Sequence, residues 1–366
     1  MKAQRLLGFD CLKVVAAYGV VVIHGLGDIP KTYWADTVSS FFVQFSVPVF
    51  LMMAFYFSIS SLYSSDWRKY LLKRFKRLLI PFYLWSAIYL LARLLKQVLI
   101  RDGSLEKLFA DPISLLLGSA GVQLYFLPLL FTGLIAAVFI THWVRPEPLW
   151  MPFCLLIGSL YLSMPLLVDG GLQDAQRILS VTQNPILMNL YDIALKLGSS
   201  QQLADSSVIV AAWVLYCLPY ISISILFHSP KVRSLISRYT NRRSIAIVAA
   251  LLFTTLVLIV FLQFYGLRFL VPVLALLIAV LSSGVLSQEW IWVKRFSYLS
   301  FGIYLVHGLL TAGLSPILIR LNLMASTMLL SLPSLLIIST LVFCLSALIT
   351  ALIASNKRAA QILLGA

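Results

Sequence analysis

Residues Ile245 to Tyr265 read IAIVAALLFTTLVLIVFLQFY, an apolar run without a charged side chain. A second run of the same character extends from Met328 to Ala354. At a rise of about 1.5 Å per residue, each run is long enough to cross the roughly 30 Å hydrocarbon core of a bilayer as an α-helix. These runs predict an all-α integral membrane protein.

The composition agrees with a chain that lies in a lipid bilayer. Of its 366 residues, 61% are hydrophobic and only 11% are charged, whereas a soluble domain carries roughly 25% charged residues. The net charge of +15 does not form a basic face. It is divided among clusters between apolar runs, which is typical of topology signals. The bilayer is therefore an expected partner, and nucleic acid is not.

Hydropathy predicts about ten transmembrane helices, in a single membrane domain that covers residues 1–366. Lys and Arg concentrate in the segments that are cytoplasmic when the N-terminus lies inside, and this bias orients membrane proteins. Both termini are therefore expected in the cytoplasm. The predicted spans lie at about 8–27, 38–60, 79–99, 124–143, 149–168, 207–228, 245–265, 269–287, 298–318 and 327–354.

Two segments between the predicted spans are distinctive. Residues 111–123 are apolar enough to enter the membrane as a re-entrant or interfacial segment. The outer loop at 169–206 contains Gly170-Gly171, Asn184-Pro185 and Ser199-Ser200, which are typical of turns. We interpret this loop as a lid or a platform for an acceptor.

The first predicted helix carries ionisable side chains on one stripe. Lys13 and His24 are eleven residues apart, which returns a helix to within about 20° of the same face over about 16 Å of rise. Asp10 lies about 40° from His24 on that face. Ionisable groups inside a bilayer are costly and mark functional sites, so all three are candidate catalytic residues. The alternative is an interfacial Asp10–Lys13 ion pair, with His24 capping the helix near the outer surface.

A basic run, Lys73-Arg74-Phe75-Lys76-Arg77, precedes the third predicted span. Arg74 and Arg77 are three apart, so on a helix their guanidinium groups point the same way and can grip a phosphate. The alternative is a cytoplasmic anchor, because basic residues commonly precede a membrane helix.

The ninth predicted span contains Ser300-Phe301-Gly302-Ile303-Tyr304-Leu305-Val306-His307. His307 is a second intramembrane imidazole, and Tyr304 and His307 are possible additional site residues. A packed, hydrogen-bonded structural histidine is the alternative. His142 and His228 fall at predicted helix ends, where the helix dipole explains them.

Several chemistries have no signature in the sequence. No group of His, Cys, Asp or Glu has metal-ligand spacing, and neither a nucleotide-binding glycine loop nor a G-x-S-x-G elbow is present. We therefore expect no metal and no permanently bound cofactor. Direct transfer is favoured over a covalent intermediate, because no nucleophile stands out.

The chain resembles the acyltransferase-3 family of bacterial membrane-bound acyltransferases. The resemblance implies a ten-helix protein of the bacterial cytoplasmic membrane that transfers an acyl group, acetyl by default, from acyl-CoA to a hydroxyl of a glycan or glycolipid. The family's Arg/Lys-x10-His pattern falls on Lys13 and His24, and its Arg-x-x-Arg pattern on Arg74 and Arg77. The resemblance is carried, in chain order, by residues 8–17 with His24, then 47–50, 74–82, 124–127 and 304–307.

The sequence departs from the family's pattern at two points. Ala54-Phe55 replaces the Ser-Gly that commonly follows the second-helix Phe, which puts close helix packing there in question. Lys13 stands where Arg is common, which keeps the charge but loses bidentate geometry.

The mechanism expected from these residues is direct acyl transfer. Arg74 and Arg77 hold the nucleotide of coenzyme A, and the pantetheine arm passes between the helices toward His24. An imidazole with an ordinary pKa near 6.5 accepts the hydroxyl proton as attack proceeds. Lys13 stabilises the developing oxyanion or contacts the CoA chain, and Asp10 orients Lys13.

Two alternative functions remain open from the sequence. One is a transporter or flippase, which also suits intramembrane charges, and the other is a membrane assembly or sensor protein.

Overall fold

The structure of the protein, a computed structural model, describes residues 6–25, 29–64, 66–100, 112–169, 172–285, 290–320 and 329–365. Within these ranges the chain is mainly α-helical, with one 3₁₀ turn at Tyr265–Leu267. The helices are α1 (Leu7–His24), α2 (Tyr33–Ser64), α3 (Trp67–Ile100), α4 (Pro112–Leu116), α5 (Phe126–Trp143), α6 (Trp150–Asp169), α7 (Ala175–Thr182), α8 (Pro185–Lys196), α9 (Gln201–Phe227), α10 (Pro230–Arg238), α11 (Arg242–Leu262), α12 (Leu270–Val285), α13 (Ile291–Arg320), α14 (Leu332–Ser355) and α15 (Lys357–Leu363).

Ten helices in the described ranges are long and apolar enough to cross a membrane. They correspond one by one to the predicted spans, so the all-α polytopic membrane fold is confirmed. The largest difference in bounds is at α3, which begins at Trp67 rather than near 79. Its basic first turns stay helical because Arg and Lys are good helix formers whose charged ends reach water. The orientation of the two termini stays a prediction.

Several hydroxyl side chains inside the spans are paired with the backbone of their own helix. Thr141 donates to the carbonyl of Ala137 at 2.8 Å, and Thr350 donates to the carbonyl of Ser346 at 2.7 Å. A bilayer core offers no water to hydrogen-bond these groups, so bonding to the carbonyl four residues earlier satisfies them internally.

The chain divides into two compact units. The first comprises Met1–Met53 with Ser234–Ala360, and the second comprises Ala54–Arg233 with Gln361–Ala366. The prediction of one membrane domain over residues 1–366 stays a prediction.

In the first unit, α1 packs against α12, α13 and α14. A side chain at Gly8 would meet the carbonyl oxygen of Ala279 at 2.2 Å, so only glycine allows α12 to approach this closely. Further along α1, apolar side chains form a buried cluster with α13 and α14: Ala17, Val21, Ile303, Val342, Phe343 and Ala347. These contacts fix α1 along its length.

In the second unit, α9 packs against α5 and α6, and α3 packs against α5. Phe55 is fully buried. A Cβ on Gly133 of α5 would lie 2.6 Å from Cζ of Phe55 and 2.8 Å from Sγ of Cys217. Packing at Ala54-Phe55 is therefore close, because a glycine on a different helix provides the space that a small residue on α2 would otherwise give.

The two distinctive loops contain short helices. The segment at 111–123, of which residue 111 lies outside the described ranges, forms α4 and a series of turns, and α4 packs on α9. Its depth in the membrane stays a prediction. The loop at 169–206 contains α7 and α8, which Asn184-Pro185 separates as predicted. Asn184 caps α8 by accepting the N–H of Ile186 at 2.9 Å. The predicted turn at Gly170-Gly171 lies outside the described residues, and the role of this loop as a lid or platform stays a prediction.

Candidate active site

The packing of α1 against α13 brings His24 and His307 together. Their ring centroids lie 5.4 Å apart, with an interplanar angle of 40°. His24 is the last residue of α1, and its half-buried ring faces a second imidazole. The two intramembrane histidines that the sequence analysis treated as separate signals therefore belong to one site.

His307 is fully buried, and its hydrogen bonds fix its tautomer. Its Nδ1 lies 3.2 Å from the carbonyl oxygen of Ile303. Because a carbonyl oxygen only accepts, Nδ1 carries the proton and Nε2 of the neutral ring presents a lone pair. Within the described residues Nε2 has no hydrogen-bond partner. A buried, unpartnered acceptor beside His24 is a costly arrangement in a core that serves packing alone.

Tyr304 completes an aromatic row on α13. Its ring centroid lies 6.1 Å from that of His307 and 6.5 Å from that of Phe301, with which it stacks at 17°. Of the two possible additional site residues, His307 lies beside His24, and Tyr304 lies beside His307. Their chemical roles stay predictions.

Lys31 and Ser39 are neighbours of this pair that the sequence analysis missed. Nζ of Lys31 donates to Oγ of Ser39 at 2.7 Å and to the carbonyl oxygen of Ile23 at 3.4 Å. The ammonium is close enough to His24 to interact with it electrostatically. A lysine in a short loop after a span is common in membrane proteins, and only the fold shows that this one turns back toward α1.

Asp10 is buried at the opposite end of α1 from His24. It accepts a hydrogen bond from the hydroxyl of Ser297 on α13. This bond satisfies a carboxylate in an apolar setting and ties α1 to α13. Lys13 is half-buried, and the roles predicted for Asp10 and Lys13 stay predictions.

Arg74 and Arg77 belong to the second unit. Both lie on α3, so the helical placement that their spacing assumed is confirmed. Nε of Arg74 donates to the hydroxyl of Tyr70 at 2.9 Å, and its guanidinium carbon lies 5.1 Å from the centre of that ring. The side chain of Arg77 is exposed. The guanidinium group of Arg74 is thus held in place by Tyr70, a residue of the same helix.

The C-terminal segment packs along the same helix. Nε1 of Trp85 donates to the carbonyl oxygen of Leu363 at 2.9 Å. Gly365 has a φ of +61°, and a Cβ there would lie 2.2 Å from the carbonyl oxygen of Arg77. Only glycine accommodates both the left-handed backbone and this close approach. The backbone of Arg77 is therefore in contact with the chain terminus, which no sequence pattern indicated.

His228 directly follows the last residue of α9, at the helix end where the sequence analysis placed it. Its Nδ1 lies 2.7 Å from the carbonyl oxygen of Ser224, and its ring lies 5.0 Å from that of Tyr56. Burial lowers the pKa of His228, and the nearby Arg233 adds to that effect, although the bond to Ser224 opposes it. His142 contacts the ring of Trp143 at 5.2 Å.

The spans and the contact between His24 and His307 define a polytopic membrane protein with a polar site among its helices. The family model described as an acyltransferase domain, acyltransferase-3, matches residues 6–352. The chain therefore belongs to the acyltransferase-3 family, and it is a membrane acyltransferase. Comparisons with curated proteins and with solved structures give no match.

Proposed function

We propose that this protein is an O-acyltransferase of the bacterial cytoplasmic membrane that moves an acyl group from acyl-CoA to a hydroxyl of a glycan or glycolipid. The acyl group proposed is acetyl. The observation that carries the proposal is the contact between His24 and His307, in a chain whose family is that of membrane acyltransferases. An imidazole among apolar helices is suited to proton transfer, because it titrates near neutral pH and needs no counter-charge when it is neutral.

In the proposed reaction His24 is the general base. The acceptor oxygen attacks the carbonyl carbon of the thioester while the imidazole of His24 takes the hydroxyl proton. His307 lies against His24, and its Nε2 lone pair can accept an N–H that orients the base. Tyr304 supports His307 by ring contact.

Donor binding is assigned to Arg74 and Arg77. Guanidinium groups form charge-assisted hydrogen bonds with phosphate oxygens, and coenzyme A carries phosphates at its nucleotide end. The bond from Nε of Arg74 to Tyr70 favours one orientation of its guanidinium group, which limits the entropy lost when a phosphate binds. We assign to Lys13 a contact with the CoA chain. Asp10 holds α1 against α13 through its hydrogen bond from Ser297.

The test is transfer by the purified full-length protein in nanodiscs, given labelled acetyl-CoA and envelope glycan from a strain that lacks the protein. We expect release of free CoA and label on the glycan. His24→Ala should lower the rate by about 10²- to 10⁴-fold, the usual contribution of a general base, while the protein still inserts into the membrane. A wild-type protein that neither binds acetyl-CoA nor releases CoA would instead favour a transporter or flippase.

A further inference from the structure

The backbone around Lys31 is held by a second loop of the first unit. The N–H of Thr32 donates to the carbonyl oxygen of Leu330 at 3.0 Å, and the N–H of Leu330 donates to that of Pro30 at 2.8 Å. The hydroxyl of Thr32 adds a bond to the same Leu330 carbonyl at 3.1 Å. The backbone on both sides of Lys31 is therefore hydrogen-bonded to Leu330, which holds this part of the loop in place.

The ammonium of Lys31 has hydrogen-bonding capacity to spare. It carries three N–H donors, of which two are directed to Ser39 and to the carbonyl of Ile23. Among the described residues no further acceptor takes the third N–H. Because Lys31 is half-buried, its charge is less screened than a surface charge and acts more strongly on a neighbouring anion.

We propose that Lys31 is a catalytic residue that stabilises the oxyanion of the acyl-transfer step, by donating its remaining N–H to the thioester carbonyl oxygen. The inference rests on the function proposed above. When the acceptor oxygen bonds to the carbonyl carbon, the hydroxyl proton passes to His24 and the carbonyl oxygen becomes negatively charged. Collapse of this intermediate breaks the carbon–sulfur bond, and the proton goes to the departing thiolate of coenzyme A.

This assignment replaces Lys13 in the role that the sequence analysis gave to it. Lys13 precedes His24 by eleven residues on α1, a rise of about 16 Å. An oxyanion that forms beside His24 is beyond the reach of a side chain at that distance. Lys31 is hydrogen-bonded to the carbonyl of the residue next to His24, so its charge is placed where the negative charge develops.

The pH dependence of transfer follows from the protonation of Lys31, which other charged and titratable groups surround. His24 lies on α1, Asp36 on α2, and His307 on α13 beside His24. Burial lowers the pKa of Lys31, and Asp36 counteracts that shift. Only the protonated lysine stabilises an oxyanion, so transfer should decline as pH rises through the pKa of Lys31, below the range of an ordinary lysine.

The experiment measures CoA release from acetyl-CoA by the full-length protein in nanodiscs, with envelope glycan from the deletion strain as acceptor. Lys31→Met should lower kcat by about 10²- to 10³-fold, as loss of an oxyanion donor does, and leave the KM for acetyl-CoA unchanged. Lys31→Arg should be about tenfold or more faster than Lys31→Met. It should also lose the alkaline decline, because arginine stays protonated. Lys231→Met, which removes an exposed lysine from α10, should behave as wild type.

Each outcome of this experiment decides the inference. Wild-type kcat in Lys31→Met, or an unchanged alkaline decline in Lys31→Arg, overturns the role of Lys31 and leaves the proposed function intact. If wild type itself releases no CoA, the proposed function and the inference fail together. Should Lys31→Met not fold, Ser39→Ala tests the role of Lys31 instead. This variant keeps the lysine charge and removes the hydrogen bond that directs the ammonium group. We expect about a tenfold loss of kcat there, and an unchanged kcat would contradict the inference.

Discussion

At the scale of single residues, the protein combines side chains that a membrane interior normally excludes. Two of them have a defined hydrogen-bond partner. Asp10 is bonded to Ser297, and Lys31 is bonded to Ser39. Nε2 of His307 is the imidazole nitrogen among the buried polar atoms that have no hydrogen-bond partner within the described residues. Unsatisfied polar atoms cost about 1–3 kcal/mol each, so this atom is where a functional role is easiest to justify.

Substitutions that separate the two nitrogens of His307 test its role. Asn can still donate to the carbonyl of Ile303 but has no acceptor at the position of Nε2, whereas Gln places its amide oxygen near that position. We expect His307→Asn to lower kcat by about tenfold or more, with the KM for acetyl-CoA unchanged, and His307→Gln to recover part of that loss. Equal rates in wild type and His307→Asn, measured by CoA release, would assign the residue to packing alone.

Donor binding is tested at the two arginines of α3. Arg74→Ala and Arg77→Ala should each weaken acetyl-CoA binding, because a charge-assisted phosphate contact contributes about 1.5–3 kcal/mol, equivalent to roughly tenfold to a hundredfold in Kd. Equilibrium binding of labelled acetyl-CoA to purified protein measures this. Lys69→Ala, which removes an exposed charge from the same helix, is the control. An unchanged Kd in both arginine variants would refute the assignment.

At the scale of elements, helix contacts depend on where small residues stand. Gly133 of α5 accommodates the ring of Phe55, and Gly8 of α1 accommodates the backbone of α12. Without such positions the helices would have to separate, because closely packed interiors leave no space for an extra side chain.

Gly133→Leu should destabilise the second unit. The new side chain would overlap Phe55 and Cys217, and overpacking of this kind costs about 1–3 kcal/mol. Thermal unfolding in detergent should therefore show a lower Tm. Gly158→Leu is the matched control, because no atom of the described residues lies within 4 Å of a Cβ at Gly158. Adding Phe55→Ala to Gly133→Leu should recover part of the loss, and a Tm equal to wild type in Gly133→Leu would show that the ring moves aside freely.

At the scale of the whole molecule, the distribution of Lys and Arg predicts which side each loop faces. Tyr239, between α10 and α11, should be cytoplasmic, and Leu197, after α8, should be outside. Both side chains are well exposed, at 60% and 80%. In a variant without Cys11, Cys154, Cys217 and Cys344, Leu197→Cys should react with an impermeant maleimide in intact spheroplasts. Tyr239→Cys should react only after lysis, and the reverse pattern would invert the topology.

The sequence by itself determined that the chain crosses a membrane as an all-α protein with ten spans. Apolar runs of sufficient length have only one stable form in a bilayer, because helices satisfy every backbone hydrogen bond within the segment. The motif order also indicated the family. Local spacing identified His24, His307 and the arginines of α3 as candidates, since ionisable groups stand out against an apolar background.

Only the tertiary structure decided which of these candidates meet. The contact of His24 with His307, the bond from Ser297 to Asp10 and the approach of Lys31 to α1 all join segments that are separate along the chain or change direction in a loop. The space that Gly133 provides for Phe55 is of the same kind. Hydropathy reports the transfer of one segment into lipid, whereas these contacts depend on the rotation and depth of helices relative to each other, which are set by side-chain packing.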